Sequence, residues 1–148
     1  MLYPSAKVIL KDPNRPGSIL LIERNVHGDL SVEPAGGKVE VDFTNKSAEN
    51  LEACALREIR EELGYSIAID RYIGSYYFFW TIDPTKCSVC AVFTGLITNR
   101  DAIFISNADS YELPMRPLWV TREDILKNRV TVDPCRKGLR ELLLQSFS

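Results

Sequence analysis

Glu58, Glu61 and Glu62 stand at i, i+3 and i+4 inside the run Glu49 to Tyr65, ENLEACALREIREELGY. On an α-helix at ~100° per residue these positions share one narrow arc, so their carboxylates meet on adjoining turns. Each close like-charged pair costs roughly 0.2–0.5 kcal/mol. The cluster therefore calls for a cation. Arg57, four residues before Glu61, supplies part of it. A hard divalent ion answers the rest, Mg²⁺ with Mn²⁺ as a substitute, because such ions prefer carboxylate oxygens and complete their shells with water and substrate phosphates. The plainer alternative is a solvated acidic helix face.

That helix has to be carried and aimed by its surroundings. Leu56, Ile59 and Leu63 form an i, i+3, i+7 stripe expected to bury against a sheet, roughly opposite the acids. Cys54 and Ala55 are small and lie one turn before the acids on their side, which leaves room for a ligand. Ser47 is the expected N-terminal cap. Gly64 is the expected stop. Upstream stands Pro34-Ala35-Gly36-Gly37-Lys38, a turn-forming stretch whose glycines let backbone approach the helix and a phosphate closely.

Taken together these residues resemble the signature of the Nudix hydrolase family. Glu49, Arg57, Glu58, Ile59, Glu61, Glu62 and Gly64 match its helical part, with the expected seven residues between Glu49 and Arg57. Gly37, followed by Lys38, Val39 and Glu40, matches its upstream part. Two positions depart from the pattern. Eleven residues separate Gly37 from Glu49 where the family has five, so VDFTNKSA stands in place of a tight turn. Tyr65 occupies a normally aliphatic position. The insertion bears on loop geometry and substrate fit, not on the acidic helix.

The resemblance implies an α/β/α sandwich, a mixed sheet with helices on both sides, and covers the chain in element order. It also implies metal-dependent hydrolysis of a nucleoside diphosphate linked to another moiety. Glu58, Glu61, Glu62 and Gly37 are the implied metal ligands, with one carboxylate able to double as the base. Glu49 and Arg57 are implied as an ion pair that fixes the helix. Gly36, Gly37, Lys38 and Arg24 are candidate substrate contacts, and Glu112 is the candidate acid from a downstream loop, against the alternative of a solvated loop glutamate.

Composition agrees with one soluble domain over residues 1–148. Hydrophobic residues make up 45% and charged residues 26%, and a net charge of −2 gives no electrostatic case for a nucleic-acid partner. No apolar run approaches a membrane span and no targeting signal is visible. Cys54, Cys87, Cys90 and Cys135 are too scattered for a disulfide framework, which points to a reducing cytoplasm. Cys87-Ser-Val-Cys90 reads as strand rather than metal or redox motif. Monomer and homodimer are both open.

Along the chain, Ser5 to Lys11 and Ser18 to Arg24 read as strands separated by the turn cluster DPNRPG. His27, the only histidine, lies in VHGD and reads as an exposed turn rather than a general base. Residues 41–50 are a lid or a passive insertion. Ser66 to Trp80 and Cys87 to Thr98 read as strands joined by Asp83-Pro84-Thr85-Lys86. In YYFFW, Trp80 is the ring expected to stack on a nucleobase, worth ~1–3 kcal/mol. Leu118 to Val120 is a final strand, Thr121 to Asp124 opens a short helix with a capping-box acid, and Asp133-Pro134 opens the C-terminal helix.

Two substrate classes stay open. Glu33-Pro34-Ala35-Gly36 is similar to ADP-ribose and nucleotide-sugar pyrophosphatases, whereas the small size suits enzymes acting on nucleoside triphosphates. A different class of function, a nucleotide-sensing Nudix-like module without turnover, often lacks the glutamates that are all present here.

Overall fold

The computed structural model describes residues 1–26, 28–99 and 115–148. His27, Tyr111 and Glu112 lie outside the described residues.

A mixed sheet forms the centre. The strands are β1 (Leu2–Lys11), β2 (Ser18–Val26), β3 (Asp29–Glu33), β4 (Ala35–Lys38), β7 (Ile67–Phe79), β8 (Cys87–Ile97) and β9 (Met115–Thr121). They run in the order β3-β2-β1-β8-β7, with β4 added to β1 and β9 added to β2. Among the described residues only β1 and β8 pair in parallel, along Leu2↔Cys87 to Lys11↔Leu96. β1 meets β2 only at Leu10↔Leu20, then gives its edge to β4 from Val8↔Ala35 to Ser5↔Lys38. The glycine strand is thereby seated inside the sheet rather than above it.

Alternation along β1 feeds two cores. Ala6, Val8 and Leu10 pack with α1 (Leu51–Leu63), while Ile9 packs with α2 (Arg122–Leu126) and α3 (Leu139–Gln145) on the opposite face. The helices thus cover both faces, as expected. Cys87 and Cys90, three residues apart in β8, both lie buried as free thiols, in keeping with the strand reading.

Three local expectations are corrected. The buried stripe of α1 is Cys54, Ala55, Ile59, Glu62 and Leu63, and Leu56 is 39% exposed. Small Cys54 and Ala55 are what let the helix press onto the sheet, so they fill space instead of leaving it. The cap of α1 is Asn50, whose side chain accepts from the Ala53 N–H at 2.8 Å, because Ser47 is paired in a short hairpin of β5 (Val41–Asp42) and β6 (Ser47–Ala48). The C-terminal helix starts after Gly138 (φ 95°), not at Asp133. Asp133 instead closes a turn by accepting from Cys135 and Arg136 N–H groups. The stop at Gly64 (φ 72°) and the Thr121–Asp124 capping box stand where expected.

Replacing Asn50 by Ala should cost about 1 kcal/mol in chemical denaturation, whereas Ser47→Ala should stay within about 0.5 kcal/mol. Equal losses would show that the hairpin, not Asn50, holds the start of α1.

Candidate active site

The acidic helix and the glycine strand meet face to face. A Cβ on Gly37 would fall 2.5–2.6 Å from the Glu58 carboxyl group, so a side chain there is excluded by the acid itself. Gly36 has φ 146°, and a Cβ on it would run into the Ala6 carbonyl and come within 2.8 Å of the Lys7 Cα. Its N–H donates to Glu62 Oε2 at 3.3 Å, and its carbonyl accepts from Lys7 Nζ at 3.2 Å. The Gly37 carbonyl accepts weakly from the Cys54 thiol at 3.5 Å.

Arg57 organises the exposed side of this contact. Its Nη2 donates to Glu49 Oε1 at 2.6 Å and to the Lys38 carbonyl at 3.1 Å. Its Nε donates to Glu49 Oε2 at 3.1 Å, completing a forked pair. Nη1 donates to Glu58 Oε1 at 3.0 Å and Glu61 Oε2 at 3.1 Å, and stands 3.5 Å from Glu40. The hydrogen bonds from Arg57, helped by the Glu40 N–H, hold Glu49 at about 2 against the opposing effect of burial. Glu49 in turn raises the already high pKa of Arg57. The Glu49–Arg57 pair is therefore closed and structural in position.

Glu58 and Glu62 behave in the opposite way. Burial raises the Glu58 carboxyl above the ordinary range, with Arg57 offsetting only part of it. Burial likewise raises Glu62, with Lys7 and then Arg24 opposing. Among the described residues no three acidic, histidine or cysteine side chains converge on one point, because Arg57 draws Glu58 and Glu61 to itself. The donor set nevertheless fits a hard divalent ion: it is all oxygen, and two of its members are carboxylates whose burial disfavours an ionised state that a cation would restore. Glu58, Glu61 and Glu62 are the residues that would hold it.

Several expected contacts take other places. Arg24 is buried in an ion pair with Glu33, which Arg136 also reaches at 3.0 Å. It is thus part of an internal charge cluster rather than an open contact. The Trp80 ring lies 5.0 Å from that of Tyr3, its Nε1 donates to Ser88 Oγ at 2.9 Å, and the Lys38 ammonium sits 4.3 Å from its centroid. Trp80 is partly buried among these neighbours. Glu112 lies outside the described residues.

Lys7 and Arg136 were not anticipated, and Glu33 entered only through the Glu33-Pro34-Ala35-Gly36 cue. Lys7 had a visible signal, a single charge within an apolar strand whose neighbours alternate in and out. Arg136 had none, since only folding brings it to Glu33 and onto the Phe78 ring, 3.8 Å from its centroid.

Seven paired strands between helices, with an Arg-ordered acid cluster against a glycine strand, define the class. The NUDIX domain model matches residues 1–141, and the chain belongs to that family. Its relatives include a CTP pyrophosphohydrolase of Escherichia coli strain K12, 39% identical over 64 residues. That match spans 42% of this chain and 43% of the relative, less than half of either. Among solved structures, a MutT protein from Methanosarcina mazei Go1 superposes with a TM-score of 0.69 at 25% identity, covering 99% of this chain and 92% of its own. A NUDIX hydrolase from Nitrosomonas europaea gives a TM-score of 0.67 at 17% identity, over 99% and 90%, and so speaks for the fold.

The Glu49 pKa carries a linkage. Its folded value of about 2 lies below the ordinary 4.5, so the unfolded chain binds the proton more readily and the contribution is present above 4.5 and lost as pH falls toward 2. The stability gap between wild type and Glu49→Gln should be on the order of 1–2 kcal/mol at pH 6 and should close across that window in pH-dependent denaturation. A gap that is constant with pH would remove the Arg57 pairing as its source.

Proposed function

We propose that the chain is a divalent-metal-dependent pyrophosphohydrolase acting on a nucleotide anhydride, with a nucleoside triphosphate as the favoured substrate class. The observation that carries this reading is the contact of Gly37 with the Glu58 carboxyl group, which leaves a side-chain-free strand facing an acidic helix. Such a contact holds the carboxylates where a divalent ion would bring a phosphate chain to them. The CTP pyrophosphohydrolase relative supports the triphosphate class. The nucleotide-sugar cue, Glu33-Pro34-Ala35-Gly36, has a separate structural explanation in the burial of Glu33 between Arg24 and Arg136.

A phosphoanhydride resists attack because its own oxygens repel a nucleophile. A bound Mg²⁺ or Mn²⁺ supplies charge neutralisation at phosphorus and a more acidic bound water. Glu58, Glu61 and Glu62 would hold it. Glu61 is the most exposed of the three and the best placed to accept a proton from water arriving from solvent, its side chain being 59% exposed. Arg57 and Glu49 position the acids; they do not meet the reacting atoms. Lys7 fixes the Gly36 carbonyl and so the course of the glycine strand.

Turnover of nucleoside triphosphates, nucleoside diphosphates, dinucleotides and nucleotide sugars with Mg²⁺ tests the reading. Glu61→Gln should lower kcat roughly 10²–10⁴-fold on whichever substrate wild type cleaves. Absence of turnover by wild type across the panel would favour a sensing module instead.

A thermal measurement gives an independent check. Because burial raises the Glu62 pKa, its ionised form opposes folding at neutral pH. Glu62→Gln should therefore raise the Tm of the metal-free protein while removing most of the increase that Mn²⁺ gives to wild type. A metal-induced rise that survives in Glu62→Gln would take this residue out of the donor set.

A further inference from the structure

On the α1 side of the sheet the helix covers only part of the apolar face beneath it. Ala6, Val8 and Leu10 of β1 are buried against α1, but Pro4, on the same alternation, is exposed beyond the helix N-terminus. Pro4, Ala91 and Phe93 floor an open cleft of about 760 Å³, walled by Val39, Leu51 and Tyr72. Tyr72 meets Phe93 edge-on at 5.7 Å and stays 55% exposed. The floor runs on into Val89 and Tyr77, which lie in one row with Pro4 across β8 and β7 and are also exposed. A contiguous apolar patch on a sheet face marks an interaction site.

The polar groups at the rim disfavour an occupant that carries phosphate. Glu49, Asn50 and Glu52 line the cleft. Asn50 is engaged as the cap of α1 and Glu49 is closed onto Arg57, so neither is left to read a base. Glu52 adds a second carboxylate, which repels phosphate oxygens and attracts a cation.

The chain itself carries the complementary shape. The inserted hairpin of β5 and β6 presents Phe43 and Lys46 in its turn, both exposed. That turn is set: Asp42 accepts from the Thr44 and Asn45 N–H groups at 3.1 Å and from the Asn45 side chain at 2.8 Å, and Lys46 takes φ 54°. A preorganised segment loses less freedom when it docks. Among the described residues Lys46 and Glu52 have no ion-pair partner. One exposed ring needs no explanation, but an aromatic and cationic hairpin beside an apolar and anionic cleft is self-complementary.

We propose that two copies of the chain pair about a two-fold axis, each seating Phe43 in the cleft of the other, with Lys46 against Glu52 of the partner subunit. Hairpin and cleft adjoin at Glu49, so one axis closes both contacts and the interface is isologous. Burying Phe43, Tyr72 and Tyr77 withdraws roughly 300–450 Å² per copy, about half of the ~800 Å² per partner in a standard interface. The hairpin strands and the start of α1 supply the rest. This pairing is independent of the hydrolase reading.

Sedimentation of the full chain tests it. Wild type should be a dimer at roughly 100 μM, and Phe43→Ser should raise the dissociation constant at least about tenfold with an unchanged circular dichroism spectrum. Lys46→Glu and Glu52→Lys should each weaken pairing about tenfold, and the two together should restore it. A monomeric wild type overturns the proposal, as does a Phe43→Ser dimer of unchanged strength or a double variant no tighter than the single ones. A monomer whose nucleotide affinity falls in Tyr72→Ala assigns the cleft to substrate and overturns it as well.

Discussion

The structure depends on a strand with almost nothing on it. Gly36 and Gly37 bring β4 so close to α1 that the Glu58 carboxyl group occupies the volume of a missing side chain. The approach requires small residues on the helix as well, which is why Cys54 and Ala55 are fully buried beside the strand. Without this fit the helix would stand off the sheet, Glu62 would lose the Gly36 N–H, and the acids would become an ordinary solvated face. Packing and site chemistry are here one constraint, since the contact that completes the core also sets where the carboxylates lie.

Arg57 explains how the enlarged loop is tolerated. The Glu49 N–H donates to the Glu40 carbonyl at 3.1 Å and the Glu40 N–H to Glu49 Oε1 at 2.9 Å, so the inserted hairpin is pinched shut at its base. Arg57 binds both Glu49 and Glu40 at that neck. The extra residues then hang outside the closed ring, with Phe43 86% exposed at their tip. Loop lengthening of this kind costs little entropy, and the acidic helix starts in the same place relative to the glycine strand.

The sequence was most informative where spacing alone determines geometry. The acids at i, i+3 and i+4, the Glu49–Arg57 pair and the Gly64 stop were legible because a helix turns by a fixed angle. Turn residues marked most strand ends, but β1 starts at Leu2 and β9 at Met115, each three residues before the expected Ser5 and Leu118. Leu56 was misread because hydrophobicity does not say which of two adjoining arcs meets the sheet. Small residues decided that, and Glu62 was carried into the buried arc with them. Ser47 and Asn50 are both good caps, and only the hairpin pairing chose between them. The neighbours of Trp80 were not legible, because Tyr3 comes from β1 and Lys38 from β4.

The least legible feature is the buried carboxylate Glu33, and it bears on how the two sides of the sheet communicate. Its burial opposes ionisation, yet Arg24, Lys7 and Arg136 together hold its pKa below the ordinary value. Removing a single partner from such a cluster leaves an uncompensated charge in the interior, a larger loss than the cluster gains by existing. Two of those cations, Lys7 and Arg24, also act on Glu62, where they restrain a pKa that burial raises. The same positive charge thus stabilises a structural carboxylate and steadies an acid at the site. A cation placed beside Glu62 would meet that same positive field, so the internal charges would oppose it as they restrain the carboxyl.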